Sequence, residues 1–157
     1  MKYLITYLLT SACLLFTGSL FSQSATTMQD ILSDVTRKVK DLEEIRYKEI
    51  VNITVDLLTG VNSKKIIRLL DPYFTYDIVA FGDRRINRLK LSVSRIDNTT
   101  GQTVPVNEYT AQSPEIRIKP SAYEEYEFMV SVDEYREGDR VGHFAIIIYH
   151  ENPEISK

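Results

Sequence analysis

His143 and His150 are the two histidines of the chain, and imidazole is the first side chain to weigh for proton transfer or metal binding. They stand seven positions apart in one apolar run, so on a strand they point to opposite faces. The pair cannot hold a metal without further ligands. Carboxylates are more numerous. Glu124, Glu125 and Glu127 cluster, and Asp133, Glu134, Glu137 and Asp139 follow. Paired carboxylates suit glycosidic acid–base work or calcium binding. Charges along a strand also keep sheet edges from aggregating, and a solvated strand face is the expectation here. Asp77 and Asp83 are the better calcium candidates. Asp77 lies on the strand face opposite Tyr76 and Ile78, and Asp83 stands at the strand end. The regular ligand spacing of a calcium loop is missing around both. No cofactor is expected, calcium being the one metal these carboxylates would suit. Arg84, Arg85, Arg88 and Lys90 form one basic patch. It could meet an anionic polymer or a phosphate headgroup, but its position in a turn reads as solvated surface.

The chain has no G-x-S-x-G elbow, no H-E-x-x-H, no P-loop and no dinucleotide fingerprint, so a hydrolase of a familiar type is not expected. Tyrosine is the abundant aromatic, with ten residues and no tryptophan. It joins an apolar ring to a polar tip, which suits sugar stacking and protein interfaces. Strand propensity also favours it. Tyr76 and Tyr126 lie in register with apolar strand faces and belong in a core. Tyr73, Tyr109, Tyr123 and Tyr135 fall near strand ends and are the candidate ligand-binding patch.

These residues sit in a chain of 157, with 43% hydrophobic and 26% charged residues and a formal charge of −3. That is one folded domain by size and composition. It excludes a disordered tail, a collagen-like rod and a disulfide-stapled mini-protein. A general nucleic-acid binder would need a basic excess. Residues 1–22 read as a secretory leader: Lys2, an apolar run from Tyr3 to Phe16, then small and polar residues. Cleavage after Ser22 or after Ser24 fits. A transmembrane anchor would need about 20 uninterrupted apolar residues, and Thr10, Ser11, Thr17, Gly18 and Ser19 break the run. A lipid-modified Cys13 is disfavoured because Leu14-Leu15-Phe16 continue the apolar run beyond it. Removing the leader takes the single cysteine, and with it thiol catalysis and Cys-zinc sites. About 135 residues are left, enough for one core.

Met28, Ile31, Leu32, Val35, Val39, Leu42 and Ile45 recur at helical spacing, which predicts an amphipathic helix over 27–46. Thr27 with Asp30 makes a capping-box-like start, and Asp34 and Lys38 are a charge-matched i,i+4 pair. After Tyr47 the period becomes two: Val51, Ile53, Val55 and Leu57 alternate with Asn52, Thr54 and Asp56. Lys65–Leu70 reads as strand or helical turn, broken by Asp71-Pro72. Strands follow around Tyr76–Ala80, Leu89–Val93, Val104–Val106, Ile116–Ile118, Tyr126–Val132 and His143–Tyr149. About eight strands with turn residues at eight-to-twelve spacing predict an antiparallel β-sandwich preceded by one helix. The organisation is then a leader at 1–22, a helical segment at 23–48 and a sandwich domain at 49–157.

Tyr76–Asp83, Leu89–Val93, Gly101, Ile116–Pro120, Tyr126–Val130 and Phe144–Ile148 together resemble the bacterial pre-peptidase C-terminal domain and its galactose-binding-like jelly-roll relatives. About half the chain is covered. The resemblance implies an exported accessory module, non-catalytic and in some members calcium- or polymer-binding. The chain departs from the pattern at Asn87-Arg88-Leu89-Lys90, where paired Asp residues are usual, and at Ala122–Glu125, where Gly-x-Tyr is usual.

The expected function is an exported, non-catalytic binding or assembly module of the bacterial cell envelope, periplasmic or secreted, with an envelope protein or a glycan as partner. One alternative is a structural subunit of an envelope complex docking through helix 27–46. Truncation of 23–46 would then leave a folded sandwich that has lost its partner. The other is a polysaccharide-active enzyme using Glu124–Glu127 or Asp77.

Overall fold

The computed structural model describes residues 26–152. The leader reading, with Cys13 and both cleavage positions, lies outside the described residues. The chain forms a helix α1 (Thr26–Lys40), which continues as a π-helical turn (Asp41–Ile45). Eight strands follow: β1 (Lys48–Thr59), β2 (Ser63–Leu70), β3 (Tyr76–Gly82), β4 (Ile86–Ile96), β5 (Thr103–Ala111), β6 (Glu115–Ile118), β7 (Glu124–Tyr135) and β8 (Val141–Glu151). They make two four-stranded sheets, ordered β1-β8-β3-β6 and β2-β7-β4-β5. Every pairing is antiparallel. This interleaved order is the jelly-roll sandwich. The strand reading of Lys65–Leu70 is the correct one of its two options.

The inner faces close on one core. Leu70, Ile78, Leu89, Leu91, Phe128, Val130, Phe144, Ile146 and Ile148 are all sealed from solvent there. Tyr76 and Tyr126 join this core, as their register predicts. The two sheets differ outside. β4 and β7 alternate buried and open residues, as a sheet with one wet face must. β8 is buried on both faces from Phe144 to His150, and this explains the helix. Ala145, Ile147 and Tyr149 point away from the core and need a second cover. Ile31 and Val35 pack on Ala145, and Leu42 packs with Val79, Ile147 and Tyr149.

The predicted stripe is only partly used. Ile31, Val35 and Leu42 are buried, whereas Met28, Leu32 and Ile45 are exposed. The π turn adds a residue to the last turn, so Ile45 rotates off the stripe. The same turn brings Asp41 to Arg46 at 3.0 Å. Asp34 pairs with Arg37 at 2.7 Å rather than with Lys38. The helix starts at Thr26, so Thr27 lies inside its first turn and not at its cap. Packed in this way the helix is part of the domain. Truncating it would bare the apolar outer face of β8, so that experiment cannot isolate a docking role.

The far end of β3 shows why two glycines are needed. A Cβ on Gly82 would sit 2.8 Å from the Ile86 Cβ, and one on Gly142 would sit 2.6 Å from its Cγ1. Ile86 is buried between the two strands. Gly142→Ala is therefore expected to cost about 1–3 kcal/mol by overpacking. Urea denaturation checks it, and Gly60→Ala would cost less there, having only its φ of 57° and no crowding against it.

Candidate functional site

One end of the sandwich gathers the loops 71–75 and 119–123. Asp71 organises both. Its Oδ1 accepts the Tyr73 N–H at 2.8 Å, and its Oδ2 accepts the Tyr123 hydroxyl at 2.5 Å. Its own N–H donates to the Tyr76 hydroxyl at 3.0 Å. Lys119 Nζ donates to the Tyr73 carbonyl at 3.0 Å. The Asx turn at Asp71-Pro72 follows from the sequence, since Asp accepts locally and Pro presets the bend. The tether between Asp71 and Tyr123 spans 52 residues and belongs to the fold alone.

Beneath these loops lies an aromatic floor. Phe74 stacks on His150 with ring centres 4.1 Å apart, and Tyr76 meets His150 edge-on at 5.5 Å. Above it Tyr73 is 82% exposed and Tyr123 57% exposed. The Asp71 carboxylate holds the Tyr123 hydroxyl above its usual pKa by accepting its proton in a hydrogen bond. Burial pushes the Tyr76 hydroxyl up as well. Both phenols stay neutral at ordinary pH, Tyr123 donating to Asp71 and Tyr76 accepting from it. The corner thus offers two open rings on loops joined through the Asp71 carboxylate, with the Lys119 ammonium on the Tyr73 carbonyl.

The four candidate tyrosines do not form one patch. Tyr73 and Tyr123 share this corner. Tyr109 lies on the edge strand β5 opposite Leu91, and is 54% exposed. Tyr135 closes β7 at the other end of the sandwich, packed against the core, with its hydroxyl buried and unpartnered among the described residues.

Asp77 and Asp83 are both buried. Asp77 binds Arg117 through two contacts of 2.6 and 3.0 Å on the outer face of β3. Asp83 accepts from the Arg85 N–H at 2.9 Å, the Arg85 Nη2 at 3.0 Å and the His143 N–H at 2.8 Å. Burial pushes the Asp83 carboxyl up, but these bonds outweigh it and hold it below the ordinary range. A calcium ion would have to displace a guanidinium at either residue. No group of three or more His, Cys, Asp or Glu suited to a metal occurs among the described residues.

The acidic run is dispersed into pairs. Glu124 meets Arg95 at 2.8 Å, Glu127 meets Lys65 at 3.1 Å and Asp133 meets Arg88 at 3.5 Å. The basic patch is dispersed by the same pairing, with Arg85 on Asp83 and Lys90 on Glu108. His143 and His150 do face opposite ways: His150 sits opposite the core residue Tyr76, and His143 opposite Leu57. No helix among the described residues is long and apolar enough to cross a membrane.

No family model and no curated protein matches the sequence. Among solved structures the chain is similar to the Yersinia pseudotuberculosis-derived mitogen, at 7% identity and a TM-score of 0.44, covering 68% of this chain and 88% of that one. It is also similar to Aeromonas hydrophila PliG, a periplasmic inhibitor of g-type lysozyme, at 13% identity and 0.42, covering 62% and 84%. A CBM4 structure aligns at 9% identity and 0.42, covering 70% and 83%. Likenesses of this size carry no argument about function. The jelly roll rests on the chain's own strand order.

Proposed function

We propose that the chain is an exported, non-catalytic binding module of the cell envelope that captures a glycan at the Tyr73–Tyr123 corner. The observation that carries this reading is a pair of open rings on two loops joined by one carboxylate, which accepts the Tyr73 N–H and the Tyr123 hydroxyl. Sugars present apolar C–H faces that stack on aromatic rings, and hydroxyls that seek charged partners. Asp71 and Lys119 stand beside the rings to supply those. The tethered Tyr123 ring is preorganised and loses little entropy on binding. The leader pattern at 1–22 supports export.

The carboxylates support the absence of catalysis. Glycoside hydrolysis needs one carboxyl held protonated, hence raised. Glu124 and Asp77 are held by arginines.

Calorimetric titration with a retained polysaccharide tests the corner. Tyr73→Ala and Tyr123→Ala are each expected to weaken binding about tenfold. Tyr123→Phe keeps the ring and loses the tether, so it falls between. The melting temperature should hold in Tyr73→Ala, whose ring is open to solvent, and fall slightly in Tyr123→Ala and Tyr123→Phe, which lose the bond to Asp71. Undiminished binding in both alanine variants would remove the corner from the account.

A further inference from the structure

The four edge strands are not equally protected. β6 has only four residues. β5 carries Pro105, with a register shift opposite Val93/Ser94. β1 breaks register between Ile50 and Asn52. Short strands, prolines and bulges of this kind block the addition of another strand. β2 has none of these three; its protection is charge, Lys64, Lys65 and Arg68, and the two lysines are already neutralised by Asp56 and Glu127. Its eight residues pair with β7 in unbroken register from Ser63 to Leu70. Its other edge has no strand beside it among the described residues. On its outer face Ile67 is 46% exposed and Leu69 63% exposed.

We propose that β2 is a docking edge that takes an extended segment of a partner protein, alternating acidic and apolar residues, as an added strand. Main-chain bonds to a free edge supply affinity, and alternate side chains supply selection. The apolar positions of the guest would lie beside Ile67 and Leu69. Charge decides the rest. β2 carries Lys64, Lys65 and Arg68 and no acid. Lys64 and Lys65 already meet Asp56 and Glu127. Arg68 is exposed, and its guanidinium donates to the neighbouring Ile67 carbonyl at 2.9 Å. A carboxylate on the guest's other face completes Arg68. A second copy of β2 would set cation against cation, which opposes pairing.

The test is an amide-shift titration of the labelled protein with a seven-residue peptide alternating valine and glutamate. A peptide with lysine for glutamate serves as the opposite arm. Expected are saturable shifts along Ser63–Leu70 and an affinity about tenfold weaker for the lysine peptide. Arg68→Glu should reverse that preference while leaving glycan binding and the melting temperature unchanged. Shifts elsewhere, no saturation, or equal binding of both peptides would overturn the proposal. Concentration-dependent self-association through β2, seen by sedimentation, would assign the edge to a second copy and overturn it too.

Discussion

Asp83→Ala is expected to lower stability by about 3–5 kcal/mol, because it removes one partner of a buried ion pair. The Asp83 side chain is fully sealed and Arg85 mostly so. Without the carboxylate, two backbone N–H groups lose their acceptor and the Arg85 guanidinium loses its counter-charge. Its Nη2 also meets His143 Nδ1, at 3.2 Å. The cost is structural as well as local, since Asp83 ties the β3–β4 turn to the start of β8 across 60 residues. Acid should do part of what the substitution does. The carboxyl is held below its unfolded value, so its contribution is present above that value and disappears as pH falls through the folded one. The melting temperature of the wild type should therefore drop on acidification below about pH 4. Asp56 and Asp97 are lowered too and add to this slope. Asp83→Asn, neutral at every pH, should start lower and fall less steeply. Parallel slopes for the two proteins would contradict the assignment.

Leu42→Ala is expected to cost about 2–5 kcal/mol. Leu42 is fully buried beneath the π turn, against Val79, Ile147 and Tyr149. The cavity would open against Val79, Ile147 and Tyr149, which the β3–β8 pairing holds in place. Leu32→Ala, at a position 47% exposed, should change stability by no more than about 0.5 kcal/mol. Urea denaturation followed by far-UV dichroism separates the two. Equal effects would mean that the helix does not rest on sheet β1-β8-β3-β6 through Leu42.

Much of this architecture was written in alternation. Strands such as β7, with Tyr126, Phe128 and Val130 inward, announce themselves by period two. The apolar run Phe144–Tyr149 also carried the need for a second cover, since a strand with one wet face would alternate. What the helix does with its stripe was less legible. The π turn has no local signature in Asp41–Ile45; Leu42 goes in as the helical spacing predicts, whereas Ile45 goes out. Sites were harder still. Asp71-Pro72 reads as a turn, but nothing local says that Tyr123 will bond to that aspartate. Tyr135 and Tyr109 share the composition and strand-end position of Tyr73 and Tyr123, and only the strand order separates them. Asp77 and Asp83 look like free carboxylates in one dimension. Their arginines come from Arg117, 40 residues away, and from Arg85 in the adjoining turn.

The Tyr73–Tyr123 corner is proposed to capture a glycan. It is tested most directly on a glycan array probed with the wild type and with the Tyr73→Ala/Tyr123→Ala double variant at matched folded concentration. At least one glycan class should be retained by the wild type and lost by the double variant. An array that the wild type leaves blank, or one on which the double variant binds as well as the wild type, would contradict it.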